Sequence, residues 1–175
     1  KGQRVLGVAQ AHHNADTIPN GLDEFKYKFM GLVGFSDPVK PGVPEAVKQC
    51  HEAGIKVFMI TGDYSATALA IAKEVGLESE SGVLTGSEVA QLSEKDLIQR
   101  LKNVRVLARM VPEQKLRVVK ALQTDAEIVA MTGDGVNDAP SLVAADLGVA
   151  MGKIGTEVAK DAADIVLLDD NLSSI

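Results

Sequence analysis

With one cysteine, Cys50, in 175 residues, an internal disulfide is excluded and no oxidising compartment is required. No apolar run approaches the ~20 residues that cross a bilayer as a helix, and no secretory signal is present. Aromatic residues supply only 3% of the chain and no Lys/Arg cluster interleaves with them. With a net charge of −6, this excludes nucleic acid as an expected partner. What is there is ordinary globular material, 46% apolar and 24% charged, too apolar for a disordered chain. The length suits one domain with a proper core. The chain opens on KGQRVLGVAQ without a methionine and reads as a piece of something longer.

Short apolar runs alternate with stretches of helical spacing. RVLGVAQ (4–10) and FMGLVGFS (29–36) read as strands. VPEAVKQCHEAG (43–54) reads as a helix stopped by Gly54, KVFMI (56–60) as a strand, and SATALAIAKEVGL (65–77) as a helix ending near Gly76. Residues 77–103 read as a helical excursion with Ser93 as an N-cap. VRVLARM (104–110) is a strand, and PEQKLRVVKALQT (112–124) a helix opened by Pro112. EIVAMT, LGVAM and DIVLLD follow as strands, with APSLVAAD and EVAKDAA as helices between them. The alternation predicts an α/β fold with a Rossmann-like parallel sheet and helices on both faces.

Open parallel sheets bind ligands beyond the carboxyl ends of their strands. Two segments there, VFMITGD (57–63) and IVAMTGDGVNDAP (128–140), leave the core through glycine and carboxylate. Gly133 and Gly135 are expected to permit tight turns, and Asp138, ahead of Ala139 and Pro140, suits the cap of the next helix. That leaves Asp134 unexplained. Two neighbouring carboxylates repel unless a cation neutralises them, and Mg²⁺, a hard ion held by one or two carboxylates plus phosphate oxygens, fits. The bland alternative is a pair of glycine turns with solvated acids. Thr61, at a strand tip, is either a donor to a phosphoryl oxygen or a cap for the following helix.

Lys115 interrupts an apolar helical stripe of Val111, Val118, Val119 and Leu122, near the end of the helix where the dipole disfavours a cation. Both features suggest an anion at the sheet edge; the alternative is a lysine whose stem lies along the core rim with its ammonium in water. If the helix position is unfavourable, replacing Lys115 costs little stability. Arg109 offers a second positive contact or is merely solvated. His12, His13 and His51 show no ligand spacing, Cys50 reads as a small apolar residue, and Asp37 ends a strand before a proline turn.

The segments MITGD, ARMVPEQKLRVV and AMTGDGVNDAPSLVAADLGVAMG, with GLVGFSDPVKPGV and GTEVAKDAADIVLLDDNLSSI, together resemble the phosphorylation domain of P-type cation-transporting ATPases. These form a branch of the haloacid dehalogenase superfamily, and the resemblance is to its second type, which includes calcium pumps. It covers roughly residues 29–175, while residues 1–10 resemble the strand returning from a nucleotide-binding domain. The resemblance implies residues 1–20 as the end of that domain and its connection, and 21–175 as the C-terminal part of the phosphorylation domain. It implies Asp134 and Asp138 at a Mg²⁺ site, Asn137 beside the phosphate, and Thr61 and Gly62 at the transferred phosphoryl group or nucleotide with Asp63 alongside. Lys115 would offset phosphoryl charge, Arg109 would lie near the nucleotide and Asp37 would be a structural or hinge acid. DPVK departs from the usual DPPR, so no role for Lys40 follows.

The nucleophile of this family is the aspartate of DKTGT, which this sequence lacks. The implied sheet therefore lacks its central strand, and the expected partners are ATP, a transported cation (Ca²⁺ or another small one), and the missing N-terminal segment or another copy to complete the sheet. The parent would be a membrane protein with this domain on its cytoplasmic side. Rival readings are a soluble phosphatase of the same superfamily, a phospho-acceptor signalling module, and a nucleotide-binding fragment without chemistry.

Overall fold

In the computed structural model, which describes residues 3–13, 20–35 and 38–175, β1 (Arg4–Gln10) runs antiparallel to β2 (Lys28–Phe35). The ladder skips Met30 between Val8 and Ala9. Gly31 beside this bulge has φ 149°, which glycine adopts without strain. Side chains alternate across a strand, so Leu32 and Val33 point to opposite faces; both are exposed, as are Val5, Leu6, Phe29 and Met30. The ribbon is apolar on both faces.

The β–α alternation implies parallel strands for the chain as a whole and gives no pairing for these two, which the structure pairs antiparallel. A parallel pair needs a crossover, usually a helix, and the described part of this connection holds only a 3-10 turn at Leu22–Glu24. The described chain divides into two compact units, Lys1–Pro38, which holds the β1–β2 pair, and Val39–Ile175. Asp37 lies outside the described residues.

The second unit alternates strictly until its excursion. Helix α1 (Val43–Glu52) precedes β3 (Met59–Ile60) and α2 (Ser65–Glu74). Within the stretch read as wholly helical, β4 (Val83–Thr85) precedes α3 (Gly86–Gln91) and α4 (Glu94–Leu101). A three-residue strand is too short to display a period, which is why it escapes sequence reading. Ser93 caps α4 as expected, its hydroxyl accepting from Asp96 N–H at 3.2 Å. Then come β5 (Val106–Ala108), α5 (Pro112–Thr124), β6 (Ala130–Gly133), α6 (Ala139–Ala144), β7 (Leu147–Met151), α7 (Glu157–Asp161) and β8 (Ile165–Leu167).

These strands are all parallel, but they form two three-stranded sheets, β3-β5-β4 and β6-β7-β8. Period two along β5 explains the layering of the first. Leu107 joins a core with Leu97, Leu101 and Val118, whereas Val106 and Ala108 join Val47, Ala68 and Ala72 on the opposite face. Helix α5 ties the halves together: Val118 and Ala121 belong to the first sheet's core, Val119 to that of Val129, Met131 and Ala150. Lys56, ahead of β3, is ion-paired with Glu127, ahead of β6. The two strands therefore start near each other, yet among the described residues no ladder joins them.

Ser141 on α6 is fully buried, and its hydroxyl has no hydrogen-bond partner among the described residues. An unsatisfied buried polar group costs ~1–3 kcal/mol. Ser141→Ala is accordingly expected to raise the melting temperature by a few degrees; a lower melting temperature would mean that the hydroxyl is satisfied after all.

Candidate active site

The TGD turn after β3 is stitched to the connection between β5 and α5. Thr61 N–H donates to Leu107 O (2.9 Å), Met110 N–H to Thr61 O (3.0 Å), and Arg109 N–H to Asp63 O (3.0 Å). The Thr61 hydroxyl accepts from Asp63 N–H at 3.1 Å, and the N-cap of α2 is Tyr64, without a side-chain cap bond. The helix-capping reading of Thr61 is thereby overturned, and its hydroxyl proton remains free to donate outward. Gly62, Asp63 and Tyr64 are exposed beside it.

Arg109 sits in the left-handed region, φ 57°, a strain of order 1 kcal/mol for a non-glycine residue. Its guanidinium lies 4.5 Å over the Tyr64 ring. It is therefore held at the turn rather than merely solvated. Tyr64 carries no sequence signal beyond its place after TGD, and the sequence reading missed it.

The second acidic turn is built around Asp138, only 7% exposed. Its Oδ2 accepts from Asp134 N–H (3.3 Å) and Gly135 N–H (3.2 Å), and its Oδ1 accepts from Lys115 Nζ at 2.6 Å. The carboxylate thus reaches back over its own turn and makes no cap bond to α6, contrary to the sequence expectation. Gly133 makes this possible, because a Cβ there would fall 2.5 Å from the Asp138 Cβ. Gly135 needs no such explanation: its backbone is extended and a Cβ would make ordinary contacts.

Lys115 is not a rim lysine with its ammonium in water. Its side chain is 14% exposed and that of Asp138 10%, so the pair is largely desolvated. The anion suggested by the broken stripe exists, and it is part of the protein. Two donor sites of the ammonium remain. Asp134 contrasts with its neighbour, being exposed, with no partner for its carboxylate among the described residues. Its backbone is held at both ends, by Asp138 Oδ2 at N–H and by Thr156 N–H at the carbonyl (2.8 Å). Asn137 is exposed on the same turn, its amide likewise without a described partner.

The structure therefore joins Lys115, Asp134 and Asp138 directly, and Thr61, Asp63 and Arg109 through backbone bonds. The sets meet at the β5–α5 connection, which receives Thr61 and leads into the first turn of α5, where Lys115 stands. Among the described residues no three His, Cys, Asp or Glu side chains converge on a metal position. A Mg²⁺ ion that takes most of its ligands from phosphate and water does not need three. His12, His13 and His51 take no part; His13 meets the Phe25 ring edge-on at 5.7 Å.

Parallel strands with helices packed on them and two acidic strand tips place the chain among α/β folds with a candidate site at the strand ends, and by sequence the chain belongs to the haloacid dehalogenase-like hydrolase family, whose model matches residues 6–146. More particularly, it is 48% identical over 173 residues to calcium-transporting ATPase 1 of Bacillus cereus, a match covering 98% of this chain and 20% of that protein. It is also 48% identical to the cation-transporting ATPase pma1 of Synechocystis, covering all of this chain and 20% of the relative. The chain thus spans about a fifth of the curated relatives it matches. Among solved structures, the catalytic domain of the CPx-ATPase CopB-B superposes with a TM-score of 0.58 at 24% identity, over 86% of this chain and 48% of that one. The resemblance to cation-transporting ATPases read from the motifs is borne out. No helix among the described residues is long and apolar enough to cross a membrane.

Proposed function

We propose that this chain is the metal- and charge-stabilising part of the phosphorylation site of an ATP-driven, membrane-bound cation pump, facing the cytoplasm. One observation carries the reading. Strands β3 and β6 start near each other, bear Thr61 and Asp134 at their carboxyl ends, and have no ladder between them. A strand ending in an acceptor aspartate fits that break and would deliver its carboxylate between the two turns. This chain has no DKTGT sequence, so the acceptor comes from an earlier segment of the longer protein.

In that protein a carboxylate oxygen of the acceptor attacks the γ-phosphorus of ATP, the bond to the bridging oxygen breaks, and ADP leaves; water later attacks the acyl phosphate and releases phosphate. Lys115 offers its two remaining N–H groups to the phosphoryl oxygens, and its third holds Asp138. The Thr61 hydroxyl and the Gly62 N–H add donors on the facing turn, and Asn137 adds an amide. Asp63 and Arg109 lie toward the nucleotide. The unpartnered Asp134 carboxylate fits Mg²⁺, with Asp138 contributing lone pairs that its three hydrogen bonds leave over. When bound, that ion would supply charge neutralisation of the phosphates. The transported ion is a small cation, with Ca²⁺ favoured by the names of the relatives. Residues 1–20 are the end of a nucleotide-binding domain and its connection, and residues 21–175 the C-terminal part of the phosphorylation domain; the ribbon of the first unit, apolar on both faces, fits a piece of a larger sheet.

The chain alone is expected to form no phosphoenzyme. A synthetic peptide containing the DKTGT strand is expected to bind and raise its melting temperature, since a ligand of the folded state stabilises it. Labelling of the isolated chain by radioactive ATP would place an acceptor within residues 1–175 and overturn the reading.

A further inference from the structure

Beyond the site itself, the loop that supports Asp134 is held in turn by the carboxylate of Asp170. Thr156 N–H holds the Asp134 carbonyl. Thr156 closes the loop 152–156 between β7 and α7, and the packing of that loop is tight. A Cβ on Gly152 would lie 2.6 Å from Leu167 O, and one on Gly155 would overlap the Met151 carbonyl oxygen. The successive N–H groups of Lys153 and Ile154 point the same way and form a small anion-binding concavity. Both are taken by one carboxylate of the chain itself, with Asp170 Oδ1 accepting from Lys153 N–H (2.9 Å) and Oδ2 from Ile154 N–H (3.0 Å).

Asp170 makes these bonds from a left-handed backbone, φ 55°, a conformation that aspartate tolerates better than most residues but still at a cost. The Lys153 N–H, first among several backbone donors, also holds its carboxyl below the usual range, so the group stays ionised. A residue strained in its backbone and bidentate to a loop is built to fix that loop.

We propose that Asp170 is a positioning residue for Asp134. Its carboxylate clamps residues 153 and 154, the clamped loop presents the Thr156 N–H, and that N–H sets the Asp134 backbone from which the metal-binding carboxylate projects. Asp138 fixes the N–H end of Asp134 and the loop fixes the carbonyl end. With both ends held, the Cα–Cβ direction of Asp134 is determined before any ion arrives. The proposal rests on the reading of Asp134 as the metal-binding carboxylate.

The test compares Asp170→Ala, Asp170→Asn and Asp134→Asn in the full-length protein. Two readouts are Mn²⁺ binding, followed by electron paramagnetic resonance, and amide exchange across residues 153–156. A third is the ATP concentration for half-maximal phosphoenzyme at saturating Mg²⁺. Loss of an outer partner of a metal ligand typically weakens the metal 10–100-fold. Asp170→Ala is expected to weaken Mn²⁺ about tenfold and to speed exchange of the Thr156 amide, with ATP half-saturation unchanged. Asp170→Asn keeps one acceptor oxygen and is expected to restore part of both; it also serves if the alanine variant fails to fold. Unaltered Mn²⁺ affinity in Asp170→Asn or Asp170→Ala, even with lower thermal stability, reduces Asp170 to a structural staple and overturns the proposal. If Asp134→Asn itself binds Mn²⁺ normally, the metal reading falls, and this proposal falls with it.

Discussion

Asp134→Asn in the full-length protein is expected to abolish acid-stable phosphoenzyme formed from labelled ATP and Mg²⁺, while the fold remains intact. The amide has the shape of the carboxylate but not its charge, and a hard divalent ion depends on that charge. Stability should hardly change, because the Asp134 side chain is exposed and bonded to no described residue. Its two structural bonds are made by the backbone and survive the substitution. Surface changes of this kind stay within about 0.5 kcal/mol. Near-normal labelling of the variant would remove Asp134 from the metal site, and a large drop in melting temperature would give it a structural role that the geometry does not.

Lys115→Ala is expected to slow phosphoryl transfer by ~10²-fold or more, the usual loss when one preorganised charge contact to the transition state is removed. On stability, the structure reverses what the helix position suggests. A cation near the start of a helix looks dispensable, yet this one neutralises a carboxylate that is only 10% exposed on its side chain. Removing one partner of a buried pair strands the other, at a typical cost of about 3 kcal/mol. The Asp134 and Gly135 N–H groups still serve Asp138 and keep the loss toward the low end. Chemical denaturation and rapid-quench phosphorylation measure the two effects separately. A variant as stable as the parent would show that the pair contributes nothing net, and a fully active one would take Lys115 out of the chemistry.

Much of this architecture was legible before the structure. The helix starts at Pro112 and Ser93, the stops at Gly54 and Gly76, and the apolar runs ending in TGD are local signals, and each appears where its local chemistry puts it. Lys115 was legible because it breaks two local rules at once. The short strand β4 was not, and neither was the antiparallel pairing of β1 with β2, which depends on whether the intervening chain folds as a crossover helix.

By itself the sequence determined the alternation of elements, the acidic turns at the strand ends, and the family, since these depend on residue type and spacing over a few positions. Tertiary structure alone decided which of the acids is buried. Asp134 and Asp138 look alike in GDGVND, but the room left by Gly133 lets Asp138 fold back onto two N–H groups and Lys115, 23 residues upstream. Tertiary structure also decided that Asp170 reaches the 152–156 loop and that the sheet parts between β3 and β6. Contacts between segments far apart in sequence follow from how helices and strands pack, and local spacing carries no record of that packing.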